Sequence, residues 1–166
     1  NRVASKGVKA AIEPLLPVVR AAVTRVEGDS GIQVRFASVE SYALRRMGRF
    51  DEALTACEQI RRHGASRAQG ADRCSCQALN QYKPADAIPV CTRALEAIEA
   101  EFGPGHHETE VDLRGLALAH NRLGNYEEAL ALRLRVVSIV EAVRGPGTSN
   151  YAEALHGVAN VLSNLN

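Results

Sequence analysis

The side chains best suited to chemistry are two cysteines in the sequence Cys74-Ser-Cys76 and the adjacent histidines His106 and His107. Sulfur and imidazole nitrogen are ligands that Zn²⁺ prefers, so these side chains invite comparison with a tetrahedral zinc site. The two cysteines lie in a segment with helical periodicity, however, where side chains two residues apart point in different directions. We therefore predict no metal site and no cofactor.

All four cysteines, including Cys57 and Cys91, lie in amphipathic helical patterns. Such positions suit buried thiols in a reducing compartment better than a disulfide framework. The chain has no run of about 18 apolar residues that could span a membrane, and no basic segment followed by an apolar one, as a signal peptide would have. These features predict a cytoplasmic protein with no membrane partner.

No stretch of the sequence predicts catalysis. A nucleophile needs a neighbouring base, and no recognisable nucleophile elbow is present. The loops Gly103-Pro-Gly105 and Gly145-Pro-Gly147 lack the strand and the lysine of a phosphate-binding loop. The net charge of +1 and the aromatic content of 4% give little support for binding nucleic acid. We therefore predict a non-catalytic protein that acts by binding another molecule.

The elements that must position the polar residues are paired helices. Residues 46–54 read Arg-Met-Gly-Arg-Phe-Asp-Glu-Ala-Leu, and residues 122–130 read Arg-Leu-Gly-Asn-Tyr-Glu-Glu-Ala-Leu. The glycine permits a tight turn between two helices, and the alanine lets their backbones approach. Ala87 follows Ala53 by 34 residues and precedes Ala129 by 42, so the helix pair repeats. Periodicity and turn residues predict a first helical segment over 6–28 and further helices over 34–47, 51–63, 68–81, 83–102, 108–123, 126–144 and 151–165.

Pro14 and Pro17 interrupt the start of the first pattern, because an interior proline removes a backbone donor and clashes with the preceding turn. We therefore expect a break or kink there, with the regular helix beginning near Pro14. The chain begins with Asn1 rather than methionine and ends at Asn166 inside a helical pattern. We expect it to be a piece of a longer protein.

The repeated residues resemble the consensus of the tetratricopeptide repeat family. In that family a small residue lies in the middle of the first helix, a Gly-x-Tyr/Phe turn follows, and an alanine lies early in the second helix. The matching residues here are Ser41, Gly48, Phe50 and Ala53; Ser75 and Ala87; Ala117, Gly124, Tyr126 and Ala129; and Ala159. The 42-residue spacing and the Gly-Pro-Gly loops are similar to the longer repeats of the kinesin light chain type, which are common also in bacterial regulatory proteins.

This resemblance implies an all-α fold, a right-handed superhelix of antiparallel helix pairs, in a single domain over residues 1–166. The expected divisions are a partial repeat with a second helix and a loop (1–33), three repeats (34–67, 68–109 and 110–151) and the first helix of a truncated repeat (152–166). The resemblance also implies a cytoplasmic scaffold for protein–protein interaction, within a larger bacterial signalling or regulatory protein.

In tetratricopeptide repeat proteins the first helices line a concave surface that binds an extended peptide or a helix. Carried over by register, this surface would consist of Arg35, Ser38, Tyr42, Arg45, Arg46, Asp72, Asn80, Arg114, Asn121, Arg122, Glu153, His156, Asn160 and Asn164. Arginine offers a planar fork to carboxylates and asparagine can hydrogen-bond a peptide backbone, which favours an acidic or C-terminal peptide as the ligand. The alternatives are ordinary solvated positions, contact with the phosphates of a nucleic acid, and self-association through the last helix.

Overall fold

The computed structural model describes residues 13–25, 30–62 and 68–165. Its regular elements are the α-helices α1 (Leu15–Thr24), α2 (Ser30–Arg46), α3 (Phe50–Arg62), α4 (Ala68–Leu79), α5 (Pro84–Phe102), α6 (Glu110–Arg122), α7 (Tyr126–Arg144) and α8 (Ser149–Leu165), and a 3-10 helix, His107–Thr109. Within the described ranges there is no strand, so the all-α prediction is confirmed.

The helices begin and end close to the positions that the sequence predicts. Helix α7 has the predicted bounds, whereas α2 begins at Ser30, before its predicted start. Helix α1 begins at Leu15, directly after Pro14, as expected, and Pro17 lies in its first turn, where no intrahelical donor is lost. The expectations for residues 1–12, 26–29 and 63–67 lie outside the described residues.

The turns of the repeated motif have the conformation that their glycines favour. Gly48 and Gly124 have φ angles of 78° and 83°, in the left-handed region where a side chain is disfavoured. The N–H of Arg49 donates to Leu44 O at 2.9 Å, and the equivalent bond after Gly124 measures 3.0 Å. This pattern, a Schellman motif, ends α2 and α6 and directs the chain into the next helix.

The chain forms two compact units, residues 1–82 and 83–166. The division falls inside the predicted repeat 68–109, so the two helices of that repeat belong to different units. In the first unit α3 packs against α2 and α4. Leu44, Met47, Ala53 and Ala56 are buried in its core. The two alanines allow the close helix approach that the sequence predicts.

Tyr82 lies in the first unit, at the position where the second repeat lacks a turn glycine. Its ring stacks on Phe50 with the ring centroids 4.8 Å apart, and its hydroxyl donates to Asp51 Oδ1 at 3.0 Å. These contacts tie the turn after α4 to the start of α3, so an aromatic contact stabilises a turn that has lost its glycine.

In the second unit α6 packs against α5 and α7, and α7 packs against α8. Leu113, Ala117, Ala129, Val136 and Val140 are fully buried in these helices. Ala117 and Ala129 are the small residues that the sequence places where α6 and α7 approach.

The prediction of free cysteine thiols is wrong. Cys57 on α3 and Cys74 on α4 form a disulfide with their Cα atoms 5.6 Å apart, and none of the chain's cysteines is free. Ser41 on α2 places its hydroxyl oxygen 3.2 Å from each of the two sulfur atoms. Helical periodicity indicated that these positions face other helices, but a disulfide also requires two Cα atoms at a specific separation. The register between α3 and α4 sets that separation.

Candidate functional site on the first helices

Helix α2 carries the predicted binding residues of the first unit on one side, called here the α2 face: Arg35, Ser38, Tyr42, Arg45 and Arg46. Most of them are three or four residues apart, so their side chains are neighbours on the helix surface. Arg35, Ser38, Tyr42 and Arg46 are exposed, and Tyr42 keeps 58% of its surface accessible. An exposed tyrosine flanked by arginines can contact both an apolar and an anionic group of a ligand.

Arg45 is the half-buried member of the α2 face. Its guanidinium carbon lies 5.6 Å from the centroid of the Tyr42 ring, within the range of a cation–π contact. Its Nε is buried and has no hydrogen-bond partner among the described residues. Burial lowers the pKa of Arg45, and the nearby Tyr42 partly offsets this effect. A cation that has lost part of its hydration favours an anionic partner.

The predicted residues from α4 and the turn after it, Asp72 and Asn80, are buried, with exposed fractions of 8% and 2%. Asp72 Oδ1 accepts a hydrogen bond from Arg61 Nη2 at 2.8 Å, and this bond raises the pKa of Arg61. Asn80 Nδ2 lies 3.6 Å from Cys76 Sγ. Both side chains are buried, so they offer little surface to a ligand.

In the second unit α6 and α8 bring five predicted residues into two separate sets of contacts. Arg114 Nη1 donates to Glu153 Oε1 at 2.8 Å. Asn121 Nδ2 donates to Asn160 Oδ1 at 3.4 Å, and Asn164 Nδ2 donates to Asn121 Oδ1 at 3.1 Å. The polar groups of these side chains therefore bind each other across the two helices. One set is the Arg114–Glu153 ion pair, and the other is the cluster of three asparagines.

The other two predicted residues of this unit, Arg122 and His156, are exposed and belong to neither set of contacts. Arg122 is the last residue of α6, and His156 lies in α8. The predicted residues of the second unit are thus divided into an ion pair, an asparagine cluster and two side chains outside both.

Sequence reasoning missed Arg133, which lies on α7, a second helix of a pair. A Cβ atom added at Gly157 of α8 would lie 2.9 Å from Arg133 Nη1 and 3.2 Å from its Cδ, so the arginine passes closely over this glycine. Burial and then repulsion from Arg114 lower the pKa of Arg133, whereas Glu153 raises it. The signal in the sequence was Gly157 itself, because a glycine inside a helix often marks a close approach.

A cleft of about 340 Å³ lies in the first unit and is lined by Arg20, Glu40, Glu52, Thr55, Ala56 and Gln59. Glu40 is buried and accepts a hydrogen bond from Arg20. Glu52 binds Arg49 at 2.5 Å, and this hydrogen bond lowers the pKa of Glu52. The carboxylates of the cleft are therefore already neutralised by arginines, and the cleft has no open charge to attract a ligand.

Antiparallel helices joined by Schellman turns, with small residues at the helix contacts, define the class of helical repeat proteins. The family model of the tetratricopeptide repeat matches residues 78–132 and 110–166, which together cover more than half of the chain. The chain belongs to the tetratricopeptide repeat family, as the sequence predicts. Repeats of this family generally mediate protein–protein interactions.

The fold is also similar to that in the crystal structure of BtubC (BKLC) from P. vanneervenii. The TM-score is 0.77 at 13% sequence identity, over 95% of this chain and 67% of that chain. At this identity the likeness shows the fold alone. A search of curated proteins finds no match. The repeat fold is thus confirmed, and the 42-residue bacterial variant stays a prediction.

In the described part of the chain, no helix combines the length and the apolar character that crossing a membrane requires.

Proposed function

We propose that this chain is a non-catalytic interaction module that binds an acidic segment of another protein on the α2 face. One observation carries the proposal: Arg35, Tyr42 and Arg46 are all exposed on the same side of α2. Among the described residues neither arginine forms an ion pair. An exposed guanidinium that no carboxylate of the described residues occupies is available to a carboxylate of a partner.

The shape of the α2 face supports an extended peptide rather than a small molecule. Its side chains follow the length of α2 in a row, whereas the cleft of about 340 Å³ in the same unit is lined by other residues. Small-molecule sites are concave and enclose most of their ligand. A row of arginines around a tyrosine instead matches a peptide in which acidic residues flank an apolar one.

The test is the binding of a fluorescein-labelled peptide of alternating glutamate and glycine with one central leucine, measured by fluorescence anisotropy. Loss of a hydrogen bond to a charged group costs about 1.5–3 kcal/mol. Arg46→Ala should therefore weaken binding about tenfold or more. Arg62→Ala is the matched control, because Arg62 is also exposed in the last turn of its helix but lies on α3.

Equal effects of the two substitutions would contradict the α2 face as the site, because they would show only a response to net charge. A peptide with glutamine in place of glutamate should not bind. Binding of a single-stranded oligonucleotide alone, with a steep dependence on salt, would overturn the proposal in favour of a nucleic-acid ligand.

Self-association is a second candidate function, and the outer face of α8 favours it. Leu155, Leu162 and Leu165 are each at least 40% exposed. The residue equivalent to Leu155 in the preceding repeat, Leu113, is fully buried. An apolar helix face of this kind can pair with another chain. Sedimentation velocity at several protein concentrations tests this, and a single monomeric species throughout would exclude it.

The assignment to the cytoplasm, and to a larger bacterial signalling or regulatory protein, stays a prediction. The cytoplasmic assignment depended on free thiols, and the disulfide between Cys57 and Cys74 removes that support. Localisation of a tagged full-length protein by cell fractionation would decide the compartment.

A further inference from the structure

Ser41 carries a hydroxyl group at a position where helix packing requires only a small side chain. It lies within α2 and is fully buried. In the second unit Ala117, which is also fully buried, holds the equivalent position seven residues before the turn glycine. The packing of the helix pair therefore does not need the hydroxyl group, and a buried hydroxyl is unfavourable unless it is hydrogen-bonded.

Among the described residues, the Ser41 hydroxyl has two hydrogen-bond partners, the disulfide sulfur atoms Cys57 Sγ and Cys74 Sγ, each 3.2 Å away. A disulfide sulfur carries no hydrogen and is a weak acceptor, so Ser41 can only donate, and to one sulfur at a time. Beside two thiols, Ser41 Oγ can accept from one thiol while its hydroxyl donates to the other sulfur. The buried hydroxyl is therefore better satisfied beside the reduced cysteines than beside the disulfide.

The two cysteines differ in their access to solvent. Cys57 on α3 is fully buried, whereas Cys74 on α4 is partly exposed. In thiol–disulfide exchange a thiolate attacks one sulfur atom and the other leaves as a thiolate. The difference in exposure favours attack on Cys74, so Cys57 is the leaving group. Its sulfur lies beside the Ser41 hydroxyl, and a hydrogen bond to a thiolate is stronger than one to a neutral sulfur.

Helix α4 has little apolar surface with which to pack against its neighbours. Its sequence, Ala-Gln-Gly-Ala-Asp-Arg-Cys-Ser-Cys-Gln-Ala-Leu, contains a single large apolar residue, Leu79, whereas the equivalent helix α6 contains one valine and three leucines. Gly70 also weakens α4, because glycine is the least favourable helix residue after proline. Burial of alanine removes less apolar area from water than burial of leucine, so apolar packing holds α4 less firmly than α6.

An ion pair also joins α4 to α3, but it is a weak connection. Asp72 of α4 binds Arg61 of α3 at 2.8 Å, and 43% of the Arg61 side chain is exposed, so this pair contributes little to stability. The disulfide joins cysteines 17 residues apart and restricts the conformations that α4 can adopt when it separates from α3. Loss of the disulfide should therefore affect α4 more than a helix of the second unit.

We propose that the disulfide between Cys57 and Cys74 is a reversible redox site, and that its reduction by a small dithiol releases α4 from α3. Ser41 favours reduction, because its hydroxyl binds the reduced cysteines more strongly than the disulfide. The residues that carry this proposal do not belong to the α2 face, so it is independent of the proposed function.

The reaction is a thiol–disulfide exchange in two steps. A thiolate of the dithiol attacks Cys74 Sγ, the bond between the two cysteines breaks, and Cys57 leaves as a thiolate that accepts a hydrogen bond from Ser41 and then takes up a proton. The second thiol of the reductant attacks the reductant sulfur bonded to Cys74, and Cys74 leaves as a thiolate and is protonated. Two electrons and two protons pass to the protein, and the dithiol becomes a cyclic disulfide.

The first experiment equilibrates the whole chain with mixtures of reduced and oxidised dithiothreitol. Free Cys57 is labelled with a maleimide and quantified by mass spectrometry of its tryptic peptide. Ser41→Ala should lower the equilibrium constant for reduction about two- to fivefold, within the range of a neutral hydrogen bond. Ser38→Ala is the matched control, because Ser38 lies on the same helix but donates to Val34 O at 2.9 Å. It should leave the constant unchanged.

Reaction with glutathione, which carries one thiol, tests the order of attack. The mixed disulfide should form on Cys74 and leave Cys57 free to react with a maleimide, because Cys57 is fully buried in the oxidised chain. A mixed disulfide on Cys57 would contradict the role of Cys57 as the leaving group beside Ser41.

Hydrogen–deuterium exchange measures the release of α4. Cys57→Ala/Cys74→Ala removes this disulfide without a reductant, and circular dichroism checks that the variant is folded. Amides of α4 should exchange about tenfold to a hundredfold faster than in the oxidised wild type, whereas those of α6 should not change. If the variant is unfolded, exchange is measured on the wild-type chain at the dithiothreitol ratio that frees half of Cys57, and half of the molecules should then show fast exchange in α4.

Two results would overturn the proposal. Exchange in α4 that does not respond to loss of the disulfide, or that rises only together with exchange in α6, would show that the bond does not control this helix. An equilibrium constant for reduction that is the same in Ser41→Ala and Ser38→Ala would show that the buried hydroxyl does not favour the reduced cysteines.

Discussion

Gly124 allows a direct test of how the repeat turns are built. Its φ angle is 83°, and an added Cβ would meet no atom within 4 Å. Gly124→Ala therefore introduces no clash, and its effect comes from the backbone conformation alone. The left-handed conformation costs a residue with a Cβ about 1–2 kcal/mol. For a chain of this length that loss lowers the Tm by about 2–8 °C.

Gly147 provides the matched control, because an added Cβ there also meets no atom within 4 Å and its φ angle is not positive. Gly147→Ala should be neutral or stabilise the protein by less than about 1 kcal/mol, through the unfolded chain. Both variants are compared with the wild type by urea and thermal unfolding, followed by circular dichroism at 222 nm. Equal losses in the two variants, or an unchanged Tm for Gly124→Ala, would refute the role of the left-handed turn.

Two further predictions concern packing and covalent structure. Leu113→Ala should cost about 2–5 kcal/mol because Leu113 is fully buried, whereas Leu155→Ala, at a position that is 44% exposed, should cost less than about 1 kcal/mol. Urea unfolding measures both, and similar losses would mean that the outer face of α8 is covered in solution. With the other two cysteines replaced by alanine, Cys57 and Cys74 should take up maleimide only after reduction, and reduction should lower the free energy of unfolding by about 3 kcal/mol. Labelling of the unreduced protein, detected by intact mass, would contradict the disulfide.

The positions of the helices were predictable because each depends on neighbouring residues. The bounds of α7 follow from apolar periodicity after a turn glycine, and α1 begins beside Pro14 because proline favours the first turn of a helix. The sequence predicts the start of α2 at residue 34, whereas the helix begins at Ser30. Residues 30–33 are Ser-Gly-Ile-Gln, and the composition of the preceding turn outweighed the weak helical signal that follows it.

The candidate site was only partly predictable. The register of the repeat identified the exposed residues Arg35, Tyr42 and Arg46. The spacing of residues along a helix is enough to determine which side chains share a face. It could not show that Asp72 is buried against Arg61, since that contact depends on how α4 lies against α3. Spacing describes which side of a helix a residue occupies, and a neighbouring helix decides whether that side meets solvent.

By itself the sequence determined the repeat family, the helices and the turns at Gly48 and Gly124, because these depend on local periodicity and on the φ angles that a residue permits. Only the tertiary structure decided that Cys57 pairs with Cys74, and that Arg133 passes over Gly157. Both contacts join side chains of different helices. Their formation depends on distances of a few ångströms between elements, which no pattern along the chain specifies.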